Sequence, residues 1–152
     1  MNRDISHAQK AVEYFCNNFN CSQSVFATFA TEYGIDEELA LKLGTDFGGG
    51  ARMGELCGAV SGALLVLGLR CGHCKCGDTE TKQKSYAIAS EYMHRFIEKQ
   101  GSVVCRDLLE YDLSKPEEME QARQKNLFHT ICPQMVKQAV EILDEMIEEG
   151  KC

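Results

Sequence analysis

Residues 48–62 carry six glycines around a single cysteine, within Gly48-Gly49-Gly50-Ala51-Arg52-Met53-Gly54-Glu55-Leu56-Cys57-Gly58-Ala59-Val60-Ser61-Gly62. A glycine inside a helix costs about 1 kcal/mol against alanine, so Gly54, Gly58 and Gly62 at four-residue spacing need a compensating use. Residues four apart lie nearly above one another on a helix. The three glycines therefore predict a bare strip that another backbone or a bulky inorganic group can approach, with Cys57 beside it. A plain small-residue seam between two helices, with Cys57 as a small buried hydrophobe, accounts for the same spacing.

The remaining composition bounds what this strip can serve. A chain of 152 residues is one domain's length and buries a core without staples. Its 16 basic and 23 acidic residues give a net charge of −7, which argues against a general nucleic-acid binder. Residues 1–15 are amphipathic and charged, with no apolar leader, so the cytoplasm is the expected compartment. The uncharged run 56–69 is shorter than the roughly 20 residues a membrane span needs, and no membrane insertion is expected. Nine cysteines without an export signal point to metal, cluster or redox chemistry, and an odd count suits a disulfide framework poorly.

The periodicity is helical from end to end. Ser6 to Gln9 has the form of a capping box before a helix over 7–18, and Asn20 with Gln23 begins a second helix that Gly34 stops. Asp36 caps a third as far as Gly44. After the triple glycine, residues 51–69 read as a central buried helix ending in Ala63-Leu64-Leu65-Val66-Leu67. Asp78 or Thr79 starts a long helix ended by Gly101, and Ser102 caps a short one bearing Cys105. Lys115-Pro116-Glu117-Glu118 is a linker or the start of a solvated helix. Pro133 at a first helical position, with Cys132 as its cap, starts the last helix, over 133–149. The expected architecture is an all-α single domain, residues 1–152, of about five to seven helices around a central Gly-rich helix. No repeat or domain boundary is visible.

On this reading Cys21, Cys105 and Cys132 lie at helix starts and Cys57 lies in the second turn of one. A helix N-terminus carries about half a positive charge, which favours thiolate, the form that attacks, oxidises or ligates. No local spacing unites the four; only the fold can.

The segments Asn20-Cys21-Ser22-Gln23-Ser24-Val25, residues 48–62 with Cys57-Gly58-Ala59-Val60-Ser61-Gly62, Cys105-Arg106-Asp107-Leu108-Leu109, and Cys132 with Val136 and Ala139 together resemble the C_GCAxxG_C_C family of redox-active proteins. The resemblance spans residues 8–146 and keeps the order of four cysteines. It implies that Cys21, Cys57, Cys105 and Cys132 act together in redox chemistry or metal ligation. It also implies a link to transport proteins and to a domain of split-Soret cytochrome c, where such cysteines accompany an iron–sulfur cluster. Four thiolates are the complement of a cluster or a closed zinc site, and glycines such as Gly58 let backbone N–H groups reach cluster sulfurs. Structural zinc usually uses close Cys-x-x-Cys knuckles, which these positions lack.

Cys71-Gly72-His73-Cys74-Lys75-Cys76-Gly77 stands apart. Its Cys-Gly-His-Cys resembles the redox pair of protein disulfide isomerase, but no βαβ pattern surrounds it, and no Cys-x-x-Cys-His haem motif is present. An auxiliary metal site, a resolving dithiol and an inert loop all remain open. Cys16 is expected to pack on the first helix and Cys152 to fray. His7, His94 and His129 read as surface or core-edge residues. The triple glycine lacks the Gly-Lys-Ser/Thr of a nucleotide loop.

Two functions follow. One is a redox protein whose Cys21, Cys57, Cys105 and Cys132, with Gly58, hold an iron–sulfur cluster or cycle as disulfides, exchanging electrons with an unnamed donor or acceptor. The other is a non-catalytic helical interaction module, transporter-associated or homo-oligomeric, with a structural metal such as zinc. An enzyme reducing a small molecule has no substrate-binding signature here.

Overall fold

Side-chain caps set four of the helix starts, those of the first, second, third and fifth α-helices. The structure, a computed structural model, describes residues 5–152, so the reading of residues 1–4 as part of a charged, leaderless start lies outside it. Ser6 and Gln9 form a reciprocal capping box before α1 (His7–Cys16), and Asn20 and Gln23 do the same before α2 (Cys21–Ala30). Asp36 caps α3 (Glu37–Gly44) through the Leu39 amide. Asp78 caps α5 (Thr79–Gln100) through the Thr81 amide, and Gly101 ends α5 in the left-handed conformation. Between α3 and α5 lies α4 (Gly58–Cys71); α6 (Cys105–Leu109), α7 (Pro116–Gln124) and α8 (Leu127–Glu148) complete the chain. The all-α single domain is as expected, but the eight α-helices among the described residues exceed the five to seven anticipated. The difference is α7, where Pro116 at the first helical position turns the polar linker into a helix.

The core is built on α4, whose residues 58–63, Val66 and Leu67 are buried. Phe26, Phe29, Tyr92 and Phe96 are at most 2% exposed, and each such side chain removed from water contributes roughly 1.5–3 kcal/mol. Tyr92 keeps its hydroxyl satisfied by donating to the Ala139 carbonyl of α8 at 2.8 Å. His7 ties α1 to the turn that follows α2 and to α8, with Nε2 at 2.6 Å from Glu32 and Nδ1 at 2.7 Å from Asp144. Among the described residues no helix is long and apolar enough to cross a membrane.

Several expected boundaries are corrected. The helix anticipated over 51–69 begins only at Gly58, because Gly49, Gly50, Ala51, Arg52 and Gly54 all have positive φ. Gly54 therefore leaves the glycine strip, which on the helix consists of Gly58 and Gly62. The last helix begins at Leu127, not Pro133, and runs through the proline. The interior proline forgoes one backbone hydrogen bond, and the packing of Leu127, Phe128 and Ile131 on a cluster around Cys105, Leu109 and Leu113 outweighs that loss. Cys132 consequently sits inside a helix. Ser102 does not cap α6 at its first residue; Val104 holds the cap position, and the Ser102 hydroxyl accepts from the Val104 amide at 3.0 Å and donates to Asp107 at 3.0 Å. Cys16 is exposed at the end of α1 rather than packed. Cys152 is not frayed: it forms a disulfide with Cys71, and its carbonyl accepts from Arg70 at 3.0 Å.

Candidate functional site

Four separate stretches of chain bring Cys21, Cys57, Cys105 and Cys132 to the wall of one cavity of about 510 Å³. Cys57 and Cys105 are joined by backbone. Leu56 and Val104 make an isolated antiparallel pair, flanked by Cys57 N–H to Val103 C=O at 2.8 Å and Cys105 N–H to Glu55 C=O at 2.5 Å. This short ladder draws residues 55–57 out of the helix and sets the two cysteines alongside each other. The turn before it requires glycine at position 50, where φ is +65° and a Cβ would collide with the Glu55 amide and stand 3.0 Å from the Cys105 Cβ.

Cys21 reaches the site across the contact of α2 with α4. A Cβ on Gly58 would stand 3.2 Å from the Cys21 Cβ and 3.1 Å from the Phe47 carbonyl oxygen, so hydrogen alone lets the first turns of α2 and α4 meet. Cys132 comes from the buried face of α8 and faces Cys21 on the cavity wall. Gly58 itself lines the cavity.

The electrostatics differ from the expectation drawn from helix starts. Burial pushes the Cys57 thiol up to about 11, although the Ala59 and Val60 amides of its own helix act in the opposite sense. Burial likewise pushes Cys105 up to about 12, with the neighbouring Cys57 and Cys132 adding to it and Arg52 opposing it. The helix terminus is real, but taking a thiolate out of water costs more than half a positive charge returns. Only Cys132 is lowered. The Cys21 thiol beside it pulls it down, and the same contact with Cys132, together with burial, raises Cys21 well above the ordinary thiol value.

Sequence reasoning missed the rest of the cavity. Phe15, Leu108, Leu113, Met119, Phe128 and Met135 make it largely apolar, and Arg52, Arg123 and His129 supply its cationic and titratable groups. These residues come from α1, the glycine turn, α6 and the turn after it, α7 and α8, and only the helical face of Leu108 beside Cys105 hinted at a shared surface. Arg52, with Ala51, holds a left-handed conformation at φ +65°, a strained choice for a side-chain-bearing residue that costs of order 1–3 kcal/mol.

The second cysteine group does not join this site. Cys71 ends α4 at the far end from Cys57, bridged to Cys152, while Cys74 and Cys76 are exposed free thiols in the loop that follows. Among the described residues, no three Cys, His, Asp or Glu side chains stand close enough to hold a metal ion as they are.

A sequence model of the C_GCAxxG_C_C family, described as "Putative redox-active protein", matches residues 19–146. No curated protein and no solved structure matches the chain.

Proposed function

Because the chain belongs to the C_GCAxxG_C_C family, we propose that it is a redox protein in which Cys21, Cys57, Cys105 and Cys132 form one centre holding an iron–sulfur cluster. The observation that carries the reading is that four thiols from four elements of the fold line a single cavity. The donor set suits the group: all four ligand candidates are sulfur, and Gly58 and Gly50 remove the Cβ atoms that would stand against Cys21 and Cys105. The spacing favours a cluster over zinc. A structural zinc site usually offers two close Cys-x-x-Cys knuckles along the chain, which positions 21, 57, 105 and 132 lack.

When bound, the cluster supplies one-electron transfer at a potential set by burial and by hydrogen bonds to its sulfurs. The chain's own part is to exclude water and to aim N–H groups. Cys57, Cys105 and Cys132 are 6%, 6% and 7% exposed, and the Ala59 and Val60 amides point at the Cys57 sulfur. The electron donor or acceptor is a separate partner, and the cytoplasm is the compartment that keeps these thiols available for ligation.

One observation favours a second version of the same function. Cys21 and Cys132 are neighbours on the cavity wall, so the pair can close to a disulfide, giving two electrons and two protons to a disulfide acceptor. Oxygen-free purification followed by iron and acid-labile sulfide analysis separates the versions. Iron and sulfide with visible absorbance, lost in Cys57→Ser, supports the cluster; a colourless, iron-free protein from iron-replete cells removes it. Thiol titration then decides the disulfide version. Partner binding that survives replacement of all four cysteines would instead favour the helical interaction module.

A further inference from the structure

We infer that the cysteine cavity is also a binding site for a small amphiphilic anion, whose charged head meets Arg52 at the mouth and whose apolar body lies against Phe15, Phe128, Met119 and Met135. The inference deepens the redox reading by naming the class of molecule brought beside the sulfurs.

Size is the first support. A volume of about 510 Å³ lies in the range of small-molecule sites, and an inorganic core of a few iron and sulfide atoms fills only a part of it. Charge is the second. The chain has 23 acidic residues against 16 basic, yet no carboxylate lines this cavity, while Arg52, Arg123 and His129 do. In a protein of net charge −7, a lining without carboxylates that carries two guanidinium groups selects for negative ligands and steers them inward.

Arg52 is the third. Arg123 is partly neutralised by Glu120 at 3.2 Å, but Arg52 has no hydrogen bond or ion pair with any described residue. Its guanidinium folds back over Gly49, where a Cβ would stand only 2.6 Å from Nη1. The consecutive left-handed residues Ala51 and Arg52 are what turn it there, so the backbone accepts strain to hold an unpaired cation at the mouth. An unpaired guanidinium above an apolar chamber is a receptor for a carboxylate or phosphate head, which it grips with two parallel hydrogen bonds.

The test is a titration of the full-length, methyl-labelled protein with octanoate, octyl phosphate and 1-octanol, read on the Met119 and Met135 methyl resonances by NMR. Both anions should shift these signals, and 1-octanol should bind about tenfold more weakly. Arg52→Gln should weaken the anions by about tenfold and leave 1-octanol unchanged, while Arg52→Lys should recover part of the loss. Absence of any shift, equal binding of 1-octanol, or anion binding unchanged in Arg52→Gln overturns the inference. A stronger response to octyl phosphate than to octanoate assigns a phosphate head, and the reverse a carboxylate. Iron and sulfide analysis of the parent protein used in the titration separates this inference from the redox reading: anion binding in a parent that takes up no iron from iron-replete cells leaves the site and removes the cluster, and iron uptake without anion binding does the opposite.

Discussion

A Cβ placed on Gly62 would lie 2.7 Å from the carbonyl oxygen of Ser22 and 3.1 Å from the Cβ of Val25, so the α2–α4 seam closes directly on the glycine. Cys21, the residue before Ser22, is held against Gly58 by the same seam. Gly62→Ala gains about 1 kcal/mol of helix propensity but must push α2 away, at a cost of about 1–3 kcal/mol. Backbone cannot rotate aside as a flexible side chain can, so the clash lies toward the upper end of that cost and the net change is a destabilisation of up to about 2 kcal/mol. Gly68 lies on the exposed side of the same helix with nothing within 4 Å of a Cβ, and Gly68→Ala should stabilise by about 1 kcal/mol. Urea denaturation of the two variants should give midpoints on opposite sides of the parent; a Gly62→Ala variant as stable as the parent would mean that the seam is loose.

How far the sequence exposed all this depends on the distance over which each signal acts. Capping at Ser6, Asn20, Asp36 and Asp78 is a contact within four residues, and those helix starts are where the side chains announce them. The start of α4 is different. Gly50, Gly54 and Gly58 share a four-residue spacing whether the chain is helical or not, and what breaks the helix is pairing with Val103 and Cys105, which lie some fifty positions away. Pro133 misled for a related reason, since the helix in front of it is held by packing on α6 and not by local preference. The four cysteines were legible as a set, because resemblance carries order along the chain. Arg52, Arg123, His129 and the apolar wall were not, since which faces of α1, α6, α7 and α8 turn toward one cavity is set by how the helices pack and not by any one stretch.

The thiols should titrate in a fixed order in the metal-free, reduced protein. Cys132 is lowered by the Cys21 thiol, and Cys57 and Cys105 are held up at about 11 and about 12, principally by burial. Iodoacetamide at pH 8 should therefore modify Cys132 before Cys57 or Cys105, and Cys21→Ala should slow Cys132 by removing that contact, both read by peptide mass spectrometry. Stability carries the complementary sign. A thiol whose folded value lies above its unfolded value of 9.0 contributes fully below pH 9, and the contribution is lost as pH rises through the folded value. For Cys57 the loss runs from about pH 9 to 11 and amounts to about 3 kcal/mol, so Cys57→Ser should flatten the fall of unfolding free energy over that window. An equally steep fall in the variant would show that ionisation of Cys57 does not govern alkaline unfolding.

The bridge between Cys71 and Cys152 closes a loop with a sequence separation of 81, and by restricting the unfolded chain it should contribute about 2–4 kcal/mol. The end of α8 has other anchors: Arg95 meets Glu149 at 2.6 Å, Lys99 meets Glu145 at 3.1 Å, and Arg70 donates to the Cys152 carbonyl at 3.0 Å. Cys152→Ser should therefore fold to the same structure with a lower denaturation midpoint, and added reductant should lower the parent toward it while leaving the variant unchanged. The cavity should not register the change. Cys57 and Cys71 bracket the 14 residues of α4, which at 1.5 Å per residue places them about 20 Å apart, at opposite ends of the buried helix. Thiol reactivity at Cys132 and iron uptake should be the same in Cys152→Ser as in the parent. A variant that loses either would tie the bridge to the four-cysteine site, and the two cysteine groups would then have to be treated as one redox system.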